Sequence, residues 1–269
     1  MTKIKNNCIL ITGGASGIGR IMGRMALERG ARQLVIWDIN QASIESTEKE
    51  FAHLGPVKGY RVDISDKEAV TKTLTQTTKE CGEIDILINC AGIITSNRGF
   101  AEMSQEEIDR TMAINASAPM TIALQILPSM LKRDYGHICN IASAAGFIAN
   151  PKMSVYAASK WAVIGWSDSL RVELQEAKRN VHVSTIAPYY INTGMFDGVR
   201  SRIIPILKPE WVAKKILNAI EKNKKISSWP LGYHMIRTLQ AVLPLRGLDL
   251  LCKVLGIYSA LDDFKGRKN

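Results

Sequence analysis

The sequence predicts an α/β protein: one doubly wound, parallel, seven-stranded sheet with helices on both faces and a helical extension at the C-terminus. Three observations carry this expectation. Short β-branched runs alternate with longer helical stretches, the rhythm of βαβ units. A glycine-rich turn, Thr12-Gly13-Gly14-Ala15-Ser16-Gly17-Ile18-Gly19, joins the first run to the first helical stretch. The chain has 269 residues, 46% of them hydrophobic, enough for one large core.

The strands are expected at residues 8–12, 33–38, 58–62, 84–90, 136–141, 181–187 and 225–229. Each is a run rich in β-branched or apolar side chains, as strands buried on both faces require. Between them the chain carries helix chemistry. Asp66 and Ser104 stand as N-caps, and Ser104-Gln105-Glu106-Glu107 has the spacing of a capping box. Two long helices are expected, over 104–132 and 155–179. No break in composition and no internal repeat divides the first 230 residues. The predicted organisation is a dinucleotide-binding and catalytic domain at 1–230, followed by a basic, apolar extension at 231–269.

The net charge of +10 is unevenly placed. Residues 1–199 hold 21 Lys/Arg against 20 Asp/Glu, whereas residues 200–269 hold 14 against 5. A nucleic-acid binder with a basic face over its whole fold would not show this pattern, and no nucleic-acid motif is present. A basic, apolar tail suits an anionic membrane surface, or it is a solvated charged face. Five cysteines, odd in number and without C-x-x-C spacing, point to a reduced, cytoplasmic protein with neither a disulfide frame nor a metal site. The first strand begins almost at once, so no leader or membrane span is expected before it.

Gly13, Gly17 and Gly19 follow directly on a strand and open a helix. Glycine permits positive φ and close backbone approach, so a pyrophosphate can sit at the helix N-terminus. Asp38 closes the second strand, where a carboxylate can accept hydrogen bonds from the ribose hydroxyls of an adenosine and repel a 2′-phosphate. The cofactor expected is therefore NAD rather than NADP, although Arg20 is a nearby cation that leaves some use of NADP open. Further along, Tyr156 and Lys160 are four residues apart on a helix and so share a face. A tyrosine titrates near pH 10, so a phenolate at neutral pH needs a neighbouring positive charge. Lys160 can supply one.

Over roughly residues 5–230, these features resemble the classical short-chain dehydrogenase/reductase family, which has the Rossmann architecture. The resemblance rests on 12–19, Asp38, Asp63, Asn89-Cys90-Ala91-Gly92, Asn115, Ser143, Tyr156, Lys160 and 188–193. It implies a catalytic quartet. Tyr156 is general acid or base, Ser143 holds the substrate oxygen, Lys160 binds the nicotinamide ribose and lowers the Tyr156 pKa, and Asn115 holds a water in a proton relay. It also implies that Asp63 contacts the adenine, 89–92 borders the adenosine, the Ile191 backbone meets the carboxamide, and Thr193 binds the carboxamide or pyrophosphate. The full cofactor set so implied is Gly13, Ser16, Gly17, Ile18, Gly19, Asp38, Asp63, Ile64, Asn89, Ala91, Gly92, Tyr156, Lys160, Pro188, Ile191 and Thr193. Cys90 and Tyr189 depart from the usual residues, and Tyr189 is expected to reshape the substrate side.

A narrower resemblance lies in Asn192-Thr193-Gly194-Met195-Phe196, Leu207-Lys208-Pro209-Glu210 and Asp263-Phe264-Lys265-Gly266-Arg267. These are similar to the retinol dehydrogenase and 17β-hydroxysteroid dehydrogenase group. This narrower resemblance implies a lipophilic alcohol or carbonyl substrate (retinoid, steroid or fatty alcohol) and peripheral contact with a membrane, while the wider family resemblance implies a homodimer or homotetramer paired through the long helices. The apolar segment 189–207, with Met195, Phe196, Ile203, Ile204, Pro205, Ile206 and Leu207, is expected to close the pocket. The extension is expected to fold as a helix pair around Pro244. The competing reading is a dinucleotide-binding protein whose catalysis is vestigial and whose tail docks to membranes or partners.

Overall fold

The computed structural model describes residues 1–201, 204–230, 232–261 and 263–264. Seven parallel strands form one sheet: β1 (Cys8–Thr12), β2 (Gln33–Asp38), β3 (Val57–Arg61), β4 (Ile86–Asn89), β5 (Gly136–Ile141), β6 (Val181–Ile186) and β7 (Ile226–Ser227). Their order is β3-β2-β1-β4-β5-β6-β7, so the direction of winding reverses between β1 and β4. In such sheets the crevice at that reversal, beyond the carboxyl ends of the strands, is where ligands bind.

Alternation along the strands builds two cores. Ile9 and Ile11 of β1, with Leu34, Ile36, Ile86 and Ile88, pack against α1 (Gly17–Glu28), α2 (Gln41–Phe51) and α7 (Pro209–Glu221). Cys8 and Leu10, with Val35, Trp37, Leu87 and Ile138, face α3 (Lys67–Cys81), α5 (Ala118–Arg133) and α6 (Ser154–Glu176). Every residue of β1 is buried, as a central strand covered on both faces must be. The expected caps form: Asp66 accepts from Glu68 and Ala69 N–H, and Ser104 and Glu107 close a capping box at α4 (Gln105–Met112).

Beyond shifts of one to three residues at the ends of β3, β6 and α6, the structure differs from expectation as follows. The helix expected over 104–132 is interrupted: α4 passes through a π-helical turn at Ala113–Ser117 before α5 begins. The strand expected at 225–229 is regular only over Ile226–Ser227, although the N–H groups of Thr185, Ala187 and Tyr189 donate to the carbonyls of Lys225, Ser227 and Trp229. The strand expected at 84–90 is trimmed to Ile86–Asn89. The run Gln105–Arg133 is long and apolar enough to cross a membrane by composition. Ile122, Ala123, Ile126 and Met130 are nevertheless buried in the core against the sheet, which makes it a core helix.

The extension folds into α8 (Tyr233–Val242) and α9 (Leu245–Val254), with Pro244 as the N-cap of α9. Its inner face covers the substrate side of the sheet. Ile236 packs with Phe147, Val163 and Ala187, while Cys252 and Ile257 pack with Ile204 and Tyr189. Asn97 Nδ2 donates to the Leu261 carbonyl at 2.8 Å, and the Arg200 N–H donates to that of Ala260 at 3.0 Å.

Candidate active site

At the reversal between β1 and β4 a cavity runs from the glycine turn to α6. Its first wall is Gly13, Ser16, Gly17, Ile18 and Gly19. The turn needs glycine for physical reasons: a Cβ on Gly19 would lie 2.3 Å from the Gly13 carbonyl oxygen. Ser16 is the N-cap of α1 yet makes no side-chain capping bond, and the first turn of α1 holds no acidic residue. The N–H groups and the positive dipole end of α1 are thus free to meet an anion.

The wall beyond the glycine turn comprises Asp38, Asp63, Ile64 and Ala91, together with Trp37, Ile39 and Ile114. Asp38 is fixed by backbone: its Oδ2 accepts Ala15 N–H and its Oδ1 accepts Asn40 N–H, both at 3.1 Å. Asn40, not Asp38, is the N-cap of α2. Arg20 is engaged elsewhere, paired with Glu50 and 5.8 Å over the Phe51 ring. Asn89 stands apart from the cavity. It is buried, and its Nδ2 donates to Asn140 Oδ1 at 2.8 Å across β4 and β5.

At the other end Ser143, Tyr156, Lys160, Pro188, Ile191 and Thr193 meet. α6 presents Tyr156 and Lys160 on one face, with Lys160 Nζ 5.6 Å from the Tyr156 ring centroid and donating to the Ile141 carbonyl at 3.1 Å. Ser143 Oγ accepts the Ala145 N–H at 3.2 Å, which caps the short turn Ala144–Gly146, and its side chain also meets Tyr156. Burial pushes the Tyr156 phenol up to about 12, opposed by its contact with Ser143. Burial likewise pulls the Lys160 ammonium down to about 8, with Cys90 acting weakly in the other direction. Burial is the larger influence on Tyr156 and favours its protonated form.

Asn115 does not line the cavity. It sits in the π turn, 1% exposed, where its Oδ1 accepts Ile93 N–H at 2.8 Å and its Nδ2 donates to the Ile93 carbonyl at 2.9 Å and to Ser159 Oγ at 3.2 Å. A Cβ on Gly92 would approach Asn115 Oδ1 to 3.3 Å and Lys160 Nζ to 3.5 Å, so Gly92 is the gap that brings the lysine and the amide together. Of the expected cover, Tyr189, Met195 and Phe196 line the cavity, whereas Ile204 and Leu207 turn into the core and Ile206 is 40% exposed. Ile203 lies outside the described residues, as do Leu231 of the extension and Lys265-Gly266-Arg267 of the similar ending. Asn150 and Tyr190, unmarked in the sequence reading, border a recess behind Ser143 and Tyr156.

Residues 7–203 match the family model described as short chain dehydrogenase. The chain is 32% identical to the epidermal retinol dehydrogenase 2 of Mus musculus over 98% of its own length and 87% of the relative's. It is 33% identical to the 17-beta-hydroxysteroid dehydrogenase 13 of Homo sapiens over 94% and 85%. Its fold is similar to a short chain dehydrogenase/reductase from Burkholderia phymatum crystallised with NAD, with a TM-score of 0.79 at 23% identity, covering 94% of this chain and 97% of that one.

Proposed function

Because the chain belongs to the short-chain dehydrogenase family of oxidoreductases, we propose that it transfers a hydride between NAD and a lipophilic alcohol or carbonyl of the retinoid, steroid or fatty alcohol class. One observation carries the reading: Ser143, Tyr156 and Lys160 converge at one end of the cavity that begins at the glycine turn. The residues present suit a dinucleotide. The uncapped N-terminus of α1 fits a pyrophosphate, the fixed carboxylate of Asp38 fits ribose hydroxyls, and Lys160, lining the same cavity, would bind the second ribose. When bound, the nicotinamide ring supplies the hydride acceptor or donor.

The chain supplies the proton chemistry. The Ser143 hydroxyl, beside Tyr156, would hydrogen-bond the substrate oxygen and hold it where charge develops. Tyr156 gives its proton to that oxygen in reduction and takes one from it in oxidation. The protonated, buried phenol is ready for the first role. The second role draws on positive charge from Lys160 and the oxidised cofactor. Asn115 fixes the Ile93 backbone beside Gly92, a positioning role in place of the water-holding one that the resemblance implied. Tyr189, Met195 and Phe196 give the substrate side an apolar wall, which favours a lipid alcohol over a sugar.

We further assign the protein to the cytoplasmic side of a membrane, as a homodimer or homotetramer. All five cysteines are free thiols, which supports a reducing compartment. Leu124 on α5 and Trp161 and Val172 on α6 are exposed and favour helix pairing between subunits. The outer faces of α8 and α9 favour the membrane.

The deciding experiment measures NADH formation over retinoid, steroid and fatty alcohols, with Tyr156→Phe alongside. Turnover is expected for at least one class and is lost by roughly a thousandfold or more in the variant, which still binds NADH. NADH binding without turnover of any alcohol or carbonyl would establish the vestigial reading instead.

A further inference from the structure

Behind the catalytic pair lies a second, smaller recess. It shares Ser143, Tyr156, Tyr189 and Phe196 with the main cavity and is completed by Asn150 and Tyr190. Its volume is about 20 Å³, room for one oxygen-sized group. The rest of its wall is mostly apolar: Ile148, Met153 and, from the extension, Ile257.

A polar amide at the edge of so small an apolar recess needs a partner. Asn150 Nδ2 donates to Tyr190 Oη at 3.2 Å, and its Oδ1 is buried with no protein partner among the described residues. Tyr190 is held in place and 5% exposed, its ring edge-on to Tyr189 at 4.5 Å and to Phe196 at 5.0 Å. The phenol thus occupies one end of the amide and leaves the other. A hydroxyl both donates and accepts, so it satisfies that end whichever way the amide is turned, whereas a carbonyl or ether oxygen satisfies only one orientation.

We propose that Asn150, oriented by Tyr190, is a specificity-determining residue that binds a second hydroxyl on the substrate, carried a few bonds from the reacting carbon. The short span follows from the shared walls, since Ser143 and Tyr156 border both spaces. The inference deepens the reading above and rests on it. The substrate class narrows from lipophilic alcohols in general to those with a neighbouring hydroxyl, namely diols and their hydroxyketone products.

The test compares 2-decanol with 1,2-decanediol, identical chains except for the second hydroxyl. With the wild-type enzyme and NAD, kcat/KM for the diol is expected to exceed that for 2-decanol by roughly tenfold, the worth of one good buried hydrogen bond. In Asn150→Ala the preference falls to within about twofold, through a higher KM for the diol, and Tyr190→Phe weakens it in the same direction. A merely structural role would change both substrates alike. Equal kcat/KM values in the wild type, or a preference that survives Asn150→Ala, overturn the proposal while leaving the oxidoreductase reading intact. Should Asn150→Ala fail to fold, Asn150→Leu makes the same comparison. If neither alcohol is turned over, the thermal shift that each produces in the NAD-saturated protein still decides. Stronger, Asn150-dependent binding of the diol supports the subsite while the catalytic reading fails, and equal binding overturns the subsite as well.

Discussion

The Asp38 carboxylate accepts the Ala15 N–H at 3.1 Å, which ties the end of β2 to the glycine turn at the mouth of α1. Its other oxygen is held by Asn40 N–H, so the charge keeps its position in the wall of the cavity beside the glycine turn. Arg20, the cation that could have offset it, is paired with Glu50 and stacked on Phe51.

On this geometry we expect a preference for NAD. A 2′-phosphate brought beside a fixed carboxylate meets like-charge repulsion, so kcat/KM is expected to favour NAD over NADP by roughly tenfold or more. Asp38→Ala narrows that ratio, and Glu50→Gln, which releases Arg20, narrows it further when combined. Steady-state kinetics with both cofactors check this, and a native preference for NADP would refute it.

Lys160 makes the stability of the cofactor-free protein depend on pH in a defined direction. Burial lowers it from 10.5 to about 8. Below about pH 8 the folded protein carries the cost of a buried ammonium in full. Between there and 10.5 the unfolded chain holds a proton that the folded one has released, so stability rises with pH. The span is roughly 2–4 kcal/mol. Raised tyrosines and cysteines act the opposite way, so the readout is the difference between wild type and Lys160→Met in urea midpoints from pH 7 to 10.5. The advantage of Lys160→Met should shrink across that window, and a constant difference would show that Lys160 is not so perturbed.

Subunit pairing through α5 and α6 is expected because Leu124 is 72%, Trp161 46% and Val172 44% exposed on those helices. Sedimentation at micromolar concentration should give a dimer or tetramer, and Leu124→Glu with Trp161→Glu should shift it toward monomer. A wild-type monomer would defeat the assignment.

What the sequence made legible were features written in short windows. Buried runs such as 8–12 and 33–38 show as strands because both faces are covered. The Tyr156–Lys160 pair shows because helical spacing puts both side chains on one face. What escaped depends on distant contacts. Asn115 pairs with both backbone groups of Ile93, 22 residues earlier, and the π turn around it adds a residue that no 3.6-residue periodicity reveals. Arg20 looked free because Glu50 is 30 residues away. Asn150 and Tyr190 are 40 apart and meet only when the turn after β5 and the segment after β6 fold over the same cavity. Asn89, placed at the adenosine by resemblance, faces Asn140 because adjacent strands bring the two amides side by side.

The extension has two faces, and only one is accounted for by the fold. Ile236, Cys252 and Ile257 are buried over the substrate side, yet Val242 is 74%, Leu245 78%, Leu250 63% and Val254 64% exposed. Arg237, Arg246 and Lys253 accompany them, against Asp249, which accepts a hydrogen bond from Tyr258 at 2.6 Å. Exposed apolar side chains on two short helices, interspersed with cations, suit the interface of an anionic bilayer, each basic residue contributing about 1 kcal/mol near the surface. Flotation with phosphatidylserine-containing vesicles should therefore carry the protein at low salt. Pure phosphatidylcholine or high salt should reduce binding, because screening shortens the reach of the charges. Leu245→Glu with Leu250→Glu alters only exposed positions and should abolish flotation while turnover of a soluble alcohol persists. If the wild type stays unbound to anionic vesicles at low salt, the helix pair is a cover for the substrate pocket and not a membrane contact.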